Sequence, residues 1–250
     1  MLQPKISVIT IVYNNVRDIE RTMLSVLNQT FPNIEYIVID GQSTDGTLEI
    51  IQKYEPQLAR LISEPDSGIY DAMNKGLALA TGDYVLFMNS GDEIYSRDTV
   101  ARIFAIEPHA DIYYGETEMF NQQWQSIGRR RHSAPDNFTW KSFQFGMSVS
   151  HQAIYIKRSL TEPYDLKYQL SSDIDWIIKA AKKTKKIVNT RIYVAKYQVG
   201  GISKSKHRQS LAERFEIFTK HYGLIPNLIN HAVIAVKLGL YYLRFGRTND

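Results

Sequence analysis

The chain contains no cysteine, which excludes disulfides and thiolate chemistry and fits a reducing compartment. A dominant charge sign is also missing. Thirty Lys and Arg stand against 26 Asp and Glu, leaving +4, too little to argue for nucleic acid as a partner. No apolar run reaches the roughly eighteen residues of a spanning helix. The stretch Ile6–Val12 that follows Met1–Lys5 is too short for a signal peptide and has no cleavage-like segment after it, so a cytoplasmic location is the expectation. No Gly-x-Gly-x-x-Gly follows the first strand-like segment, and no Walker-type phosphate loop is present. Their absence removes dinucleotide-dependent oxidoreductases and P-loop enzymes from the alternatives. There is neither an internal repeat nor a low-complexity segment.

What is present is an alternation of short β-branched runs with helical stripes. A chain of 250 residues holds one large core, or one domain and an appendage. Ile6–Val12 reads as a buried strand, and Asp18–Leu27 as a helix with Ile19, Met23, Val26 and Leu27 on one stripe. Strand Ile34–Ile39, a helix beyond the Asp40–Gly46 turn, a short strand at Leu61-Ile62, helix Ile69–Ala80 and strand Tyr84–Met88 follow. Strands separated by helical patterns of this length predict βαβ units and a parallel sheet, an α/β fold. From Ser96 onward the pattern loosens, with strands expected at Asp111–Gly115, Ala153–Ile156 and Ile192–Val199. Helices are expected at Asp173–Ala181, Ser210–Tyr222 and Pro226–Phe245.

The run Tyr84–Met88 stops at Asn89-Ser90-Gly91-Asp92, a small oxygen-rich turn at the edge where open α/β sheets bind ligands. Oxygen ligands suit Mg²⁺ or Mn²⁺, which suit a diphosphate. Two more turns, at Tyr13-Asn14 and Asp40–Gly46, end strands expected to lie beside it. Together with Ser25–Glu35, Ile39–Thr47 and Ala80–Val85, this constellation resembles the family 2 glycosyltransferases, which have the GT-A fold. The match is close over the first hundred residues and looser over the next hundred. The resemblance implies a Rossmann-like, mostly parallel sheet flanked by helices. It implies a glycosyltransferase domain over residues 1–205, split into a nucleotide-binding half (1–95) and an acceptor half (96–205), with a helical C-terminal extension over 206–250.

The resemblance also implies roles. Asp92 aligns with the last carboxylate of the family's metal signature, whose earlier places hold Asn89 and Gly91 here; it is the candidate ligand for Mn²⁺ or Mg²⁺. Thr10, Tyr13, Asp40, Asp66, Lys75, Asn89 and Ser90 are the candidate donor contacts. An Asp pair commonly stands at positions 40 and 41, its second member reading uracil. With Gly41 in that place, base recognition passes to Asp40, to Asp66 or to backbone, unless Asp40 only ties down its turn. Asp173 in Ser171-Ser172-Asp173-Ile174-Asp175 matches the family's general base, the alternative being a charge at a helix N-terminus. Asp173 and Asp175 fall on different helix faces and cannot both serve one site. His151 and Trp176 are the candidate acceptor contacts, each weighed against ordinary core packing.

The expected function is inverting, metal-dependent transfer of a sugar from a nucleotide-sugar, UDP-linked, to a glycan or polyprenyl-linked acceptor in polysaccharide biosynthesis. The segment Ser63–Gly76 looks like the subgroup that builds bacterial surface polysaccharides. The thin carboxylate set leaves a second reading, a weak or inactive nucleotide-sugar-binding scaffold. Gly200–Ser203, with Lys204, Lys206, His207 and Arg208 beyond, has the composition of a flap over phosphates. The apolar face of Pro226–Phe245, with Lys237, Arg244 and Arg247, suits the inner face of the plasma membrane, a homodimer contact or the core equally well.

Overall fold

Strand–helix–strand units build the first half of the chain, as the periodicity predicts. In a computed structural model that describes residues 3–130, 133–146, 149–200 and 206–245, β1 (Ile6–Val12), β2 (Ile34–Asp40), β3 (Arg60–Ser63) and β4 (Tyr84–Phe87) run parallel in the order β3-β2-β1-β4. The helices between them are α1 (Ile19–Leu27), α2 (Thr47–Gln52) and α3 (Ile69–Leu79). β1 is buried along its whole length, the mark of a strand covered on both faces.

The second half extends the same sheet. It contributes β5 (Glu93–Ile94), α4 (Thr99–Ile106), β6 (Ile112–Phe120), β7 (Ser126–Arg129) and β8 (Ile154–Lys157), then α5 (Ser172–Lys183) and β9 (Ile187–Gln198). The order continues β4-β8-β6-β9-β5, and β7 pairs with β6. β8 is antiparallel to both neighbours, whereas β9 is parallel to β6. Because β8 runs backwards, the residues just before it lie at the edge where β1, β4 and β6 end. The strand expected at Asp111–Gly115 continues to Phe120, and the one expected from Ile192 begins at Ile187. β5, α4 and β7 were not expected: β5 has two residues, and β7 is exposed throughout.

Alternate residues of the strands feed two cores. On one face Ile9, Ile11 and Phe87 meet α3 and α5; on the other Ile6, Val8 and Leu86 meet α1, α2 and α4. Two helices, α6 (His207–Tyr222) and α7 (Leu224–Phe245), complete the described chain. Ile217 and Phe218 anchor α6 in the first core. α7 turns buried Asn227 and Asn230 inward, and leaves Leu224, Ile225, Leu228, Ile229 and Val236 exposed. Core packing therefore accounts for only part of its surface.

Candidate active site

A cavity of about 790 Å³ opens where the strands end, within the range of small-molecule sites, about 300–1,000 Å³. Its walls come from the ends of several elements: Asn15 after β1, Asn89–Asp92 after β4, Gln122 after β6, Gln198 at the end of β9, and Asp173 in the first turn of α5. His151 and Gln152, just before antiparallel β8, complete the wall between the Asn89–Asp92 turn and α5.

The Asn89–Asp92 turn is closed by its own backbone bond, Asp92 N–H to Asn89 O at 3.0 Å, and held in place by neighbours. Ser90 N–H donates to Ile11 O at 3.2 Å, Asn15 Nδ2 donates to Ser90 Oγ at 2.9 Å, and Gly91 N–H donates to Thr22 Oγ1 at 3.0 Å. Gly91 has φ +105°, a region that disfavours side chains. A second carboxylate at that position would thus strain this backbone. Asp92 is 5% exposed; its Oδ2 accepts from Gln152 Nε2 at 2.6 Å and its Oδ1 from Gln198 N–H at 3.0 Å. Burial outweighs those hydrogen bonds and pushes its carboxyl up to about 6.

Asn89 begins a line of polar contacts. Its Nδ2 donates to His151 Nε2 at 3.0 Å, and His151 Nδ1–H donates to Asp173 Oδ2 at 3.2 Å. Tyr70 O–H donates to Asp173 Oδ1 at 3.1 Å. Burial alone raises the Asp173 pKa, but the hydrogen bond from His151, the Tyr70 hydroxyl and nearby Arg214 outweigh it and hold the carboxyl below its ordinary value. Asp175 faces away, as the helical spacing predicts. It pairs with Lys179, Lys220 and His221 at 2.8, 3.1 and 2.7 Å, fastening α5 to α6.

The other sequence-predicted residues are distributed unevenly. Asn89, Ser90, Asp92, His151 and Asp173 line the cavity. Thr10 is buried and bonded to Tyr36 Oη and Met88 O, at 3.0 and 2.8 Å. Asp40 is fully buried and accepts from Ser43 N–H and Ser63 Oγ; here it ties down its turn and presents no free oxygen to the cleft. Trp176 is 3% exposed, stacks on Tyr164 and donates to Glu162 O, so its ring is occupied in the core rather than offered to an acceptor. Lys75 donates to Pro65 O at 2.7 Å and pairs with Glu64 at 2.9 Å, which fixes the loop that carries Asp66. A Cβ on Gly41 would lie 2.4 Å from Asp66 Oδ2 and 3.3 Å from Tyr13 Cδ2. The Asp66 carboxylate thus fills the space that a side chain at position 41 would take, beside the Tyr13 ring, which is 65% exposed.

Tyr70, Gln152 and Gln198 were missed by sequence reasoning. Tyr70 lies inside the Ser63–Gly76 segment and Gln152 beside His151, yet nothing in their spacing says which carboxylate each would reach. Of the flap expected at Gly200–Ser203 with Lys204, Lys206, His207 and Arg208, residues 201–205 lie outside the described residues, while Gly200 and Lys206 line the cavity. Among the described residues no cluster of three or more His, Cys, Asp or Glu forms a metal cage. An oxygen set is nevertheless present: the Asp92 carboxylate, and Asn89 Oδ1, which is buried without a hydrogen-bond partner.

Comparison with known proteins agrees with this geometry. The family model described as Glycosyl transferase family 2 matches residues 7–162. A PGL/p-HBAD biosynthesis glycosyltransferase of Mycobacterium bovis is 32% identical over 232 residues, 88% of this chain and 87% of that protein. Among solved structures, S. aureus TarS 1-349 in complex with UDP-GlcNAc superposes with a TM-score of 0.65 at 21% identity, over 98% of this chain and 74% of that one. The mannosyltransferase PcManGT from Pyrobaculum calidifontis, in complex with GDP-Man and Mn²⁺, gives 0.65 at 18% identity, over 99% and 77%.

Proposed function

This chain belongs to glycosyl transferase family 2, and we propose that it transfers a sugar, with inversion, from a UDP-sugar to a hydroxyl of a glycan or lipid-linked acceptor in polysaccharide biosynthesis. The observation that carries this reading is the line Asn89–His151–Asp173–Tyr70, which joins the oxygen-rich donor turn to an ionised carboxylate across one cavity.

Both Asp173 oxygens receive one hydrogen bond, and each keeps a lone pair. The carboxylate therefore accepts the proton of an acceptor hydroxyl while that oxygen attacks the anomeric carbon and the bond to the diphosphate breaks. His151 and Tyr70 fix the carboxylate's orientation and its charge. Asp92, with Asn89 Oδ1 in the same cavity wall, would hold a hard cation, which would supply neutralisation of the charge on the leaving diphosphate. Tyr13 and Asp66 flank Gly41 where the base of the donor is read. The exposed face of α7 supports peripheral contact with a membrane or a second copy of the chain. No described helix is long and apolar enough to cross a membrane.

The test is a panel of nucleotide-sugars incubated with Mn²⁺ and then with chelator, with release of nucleoside diphosphate as readout. Chelator-sensitive release that disappears in Asp92→Ala is the expected result. Binding without turnover, with candidate acceptors present, would replace the transferase with a nucleotide-sugar-binding scaffold.

A further inference from the structure

Behind Asp173 lies a second, smaller cavity of about 230 Å³, below the size of a whole-ligand site. It shares Asp173, His151, Gln152, Leu170 and Tyr197 with the main cleft, and adds two guanidinium groups. Arg130 comes from the segment just past β7, and Arg214 from α6. None of the Asn89–Asp92 residues lines it; His151 and Gln152, which are bonded to that turn, stand between the two.

The charges in this cavity do not balance. Arg214 Nε is buried and has no hydrogen-bond partner among the described residues. Glu116 lends Arg130 some negative charge but is itself in an ion pair with Arg129. Asp173 lends both arginines some negative charge, but its hydrogen bonds come from His151 and Tyr70 and not from either of them. Burial accordingly pushes the Arg130 pKa down. Two cations in a half-enclosed space with one shared carboxylate are costly to maintain. They become favourable when an incoming oxyanion meets both planar forks.

We propose that Arg130 and Arg214 form an oxyanion subsite that selects acceptors carrying a phosphate or carboxylate close to the hydroxyl that is glycosylated. The proposal rests on the transferase reading of Asp173 only for the word acceptor; the anion site itself stands on the cavity and its charges. An anion held there lies beside Asp173 and away from the donor's diphosphate, within reach of an acceptor in the main cleft across the walls that the two cavities share.

The test uses the full chain saturated with UDP and Mn²⁺. Phenyl phosphate and glucuronate are titrated calorimetrically, with phenyl glucoside as the uncharged control. One or both anions should bind and the control should not; which anion binds distinguishes a phosphate from a uronate acceptor. Arg214→Gln should weaken binding about tenfold, Arg214→Lys less, and the double change Arg130→Gln, Arg214→Gln should abolish it. Equal binding of the neutral glucoside by the unaltered chain overturns the proposal without any variant, so misfolding of a variant cannot hide the answer. Undiminished anion binding in the folded double variant also overturns it. So does a parallel loss of UDP affinity, which would assign the arginines to the donor. If the anions bind while no nucleotide-sugar is turned over, the transferase reading fails and the subsite stands; turnover that is indifferent to acceptor charge has the opposite meaning.

Discussion

Asp173 takes its chemical character from its donors rather than from its own pKa as a free side chain. With the carboxyl held below its ordinary value, it stays ionised throughout the neutral range. Asp173→Asn should lower kcat by about 10²–10⁴-fold with donor affinity retained in a nucleotide titration; a collapse of donor binding would deny it the role of base. Tyr70→Phe removes one donor to the carboxylate, a charged hydrogen bond worth about 1.5–3 kcal/mol. The charged form then loses support, so the Asp173 pKa must rise. The acid limb of kcat/KM against pH should move upward by about one to two units, and an unmoved limb would show that Tyr70 does not tune the base. The motif order marked Asp92 and Asp173 in the sequence because they sit at element ends with recognisable neighbours. Depth was not legible: Thr10, Asp40 and Trp176 have the right residue types but lie in the core, and alternation along a strand cannot tell a lining residue from one beneath it. Arg130 and Arg214 are far apart in the chain, and no local pattern announces that they converge.

Among the elements, the parallel strands are clamped at their amino ends by one carboxylate. Glu35, at the start of β2, accepts from Lys5 Nζ at 2.6 Å, Ser7 Oγ at 2.6 Å, and Thr81 N–H and Oγ1 at 2.7 and 2.5 Å. Those donors outweigh the upward push of burial and bring its carboxyl down to about 2. A depressed acid contributes stability that is present above its unfolded pKa and lost as pH falls through its folded one, so the window runs from about pH 4.5 to about 2. Glu35→Gln should cost about 2 kcal/mol at pH 7 in urea unfolding and flatten the acid loss across that window. A variant as stable as the parent at pH 7 would show that the clamp is dispensable. The βαβ half was legible because both periods are clean there. Strand order was not, since the backward insertion of β8 between β4 and β6 depends on long-range pairing.

For the molecule as a whole, α7 is the element whose surface the fold does not account for. Ile225 and Ile229 are 71% and 59% exposed, so changing both to Asp should leave the melting temperature nearly unchanged, surface substitutions usually staying within about 0.5 kcal/mol. The same double change should reduce sedimentation with anionic vesicles, or dissociate a dimer in analytical ultracentrifugation. Indifference in both measurements would deny α7 either role. Amphipathicity was legible here but its partner was not, because an apolar stripe reads alike against lipid, core or a second copy. The position of β8 has a further consequence, for inheritance. A strand from the second half is stitched next to β4, so the two halves are not exchangeable cassettes. Recombination between relatives at a point such as residue 95 would have to bring matching edges at Val85 and Ile156, together with a compatible Asn89–His151 pair. Acceptor preference in such a lineage should therefore diversify by substitution around the small cavity, rather than by shuffling of whole segments.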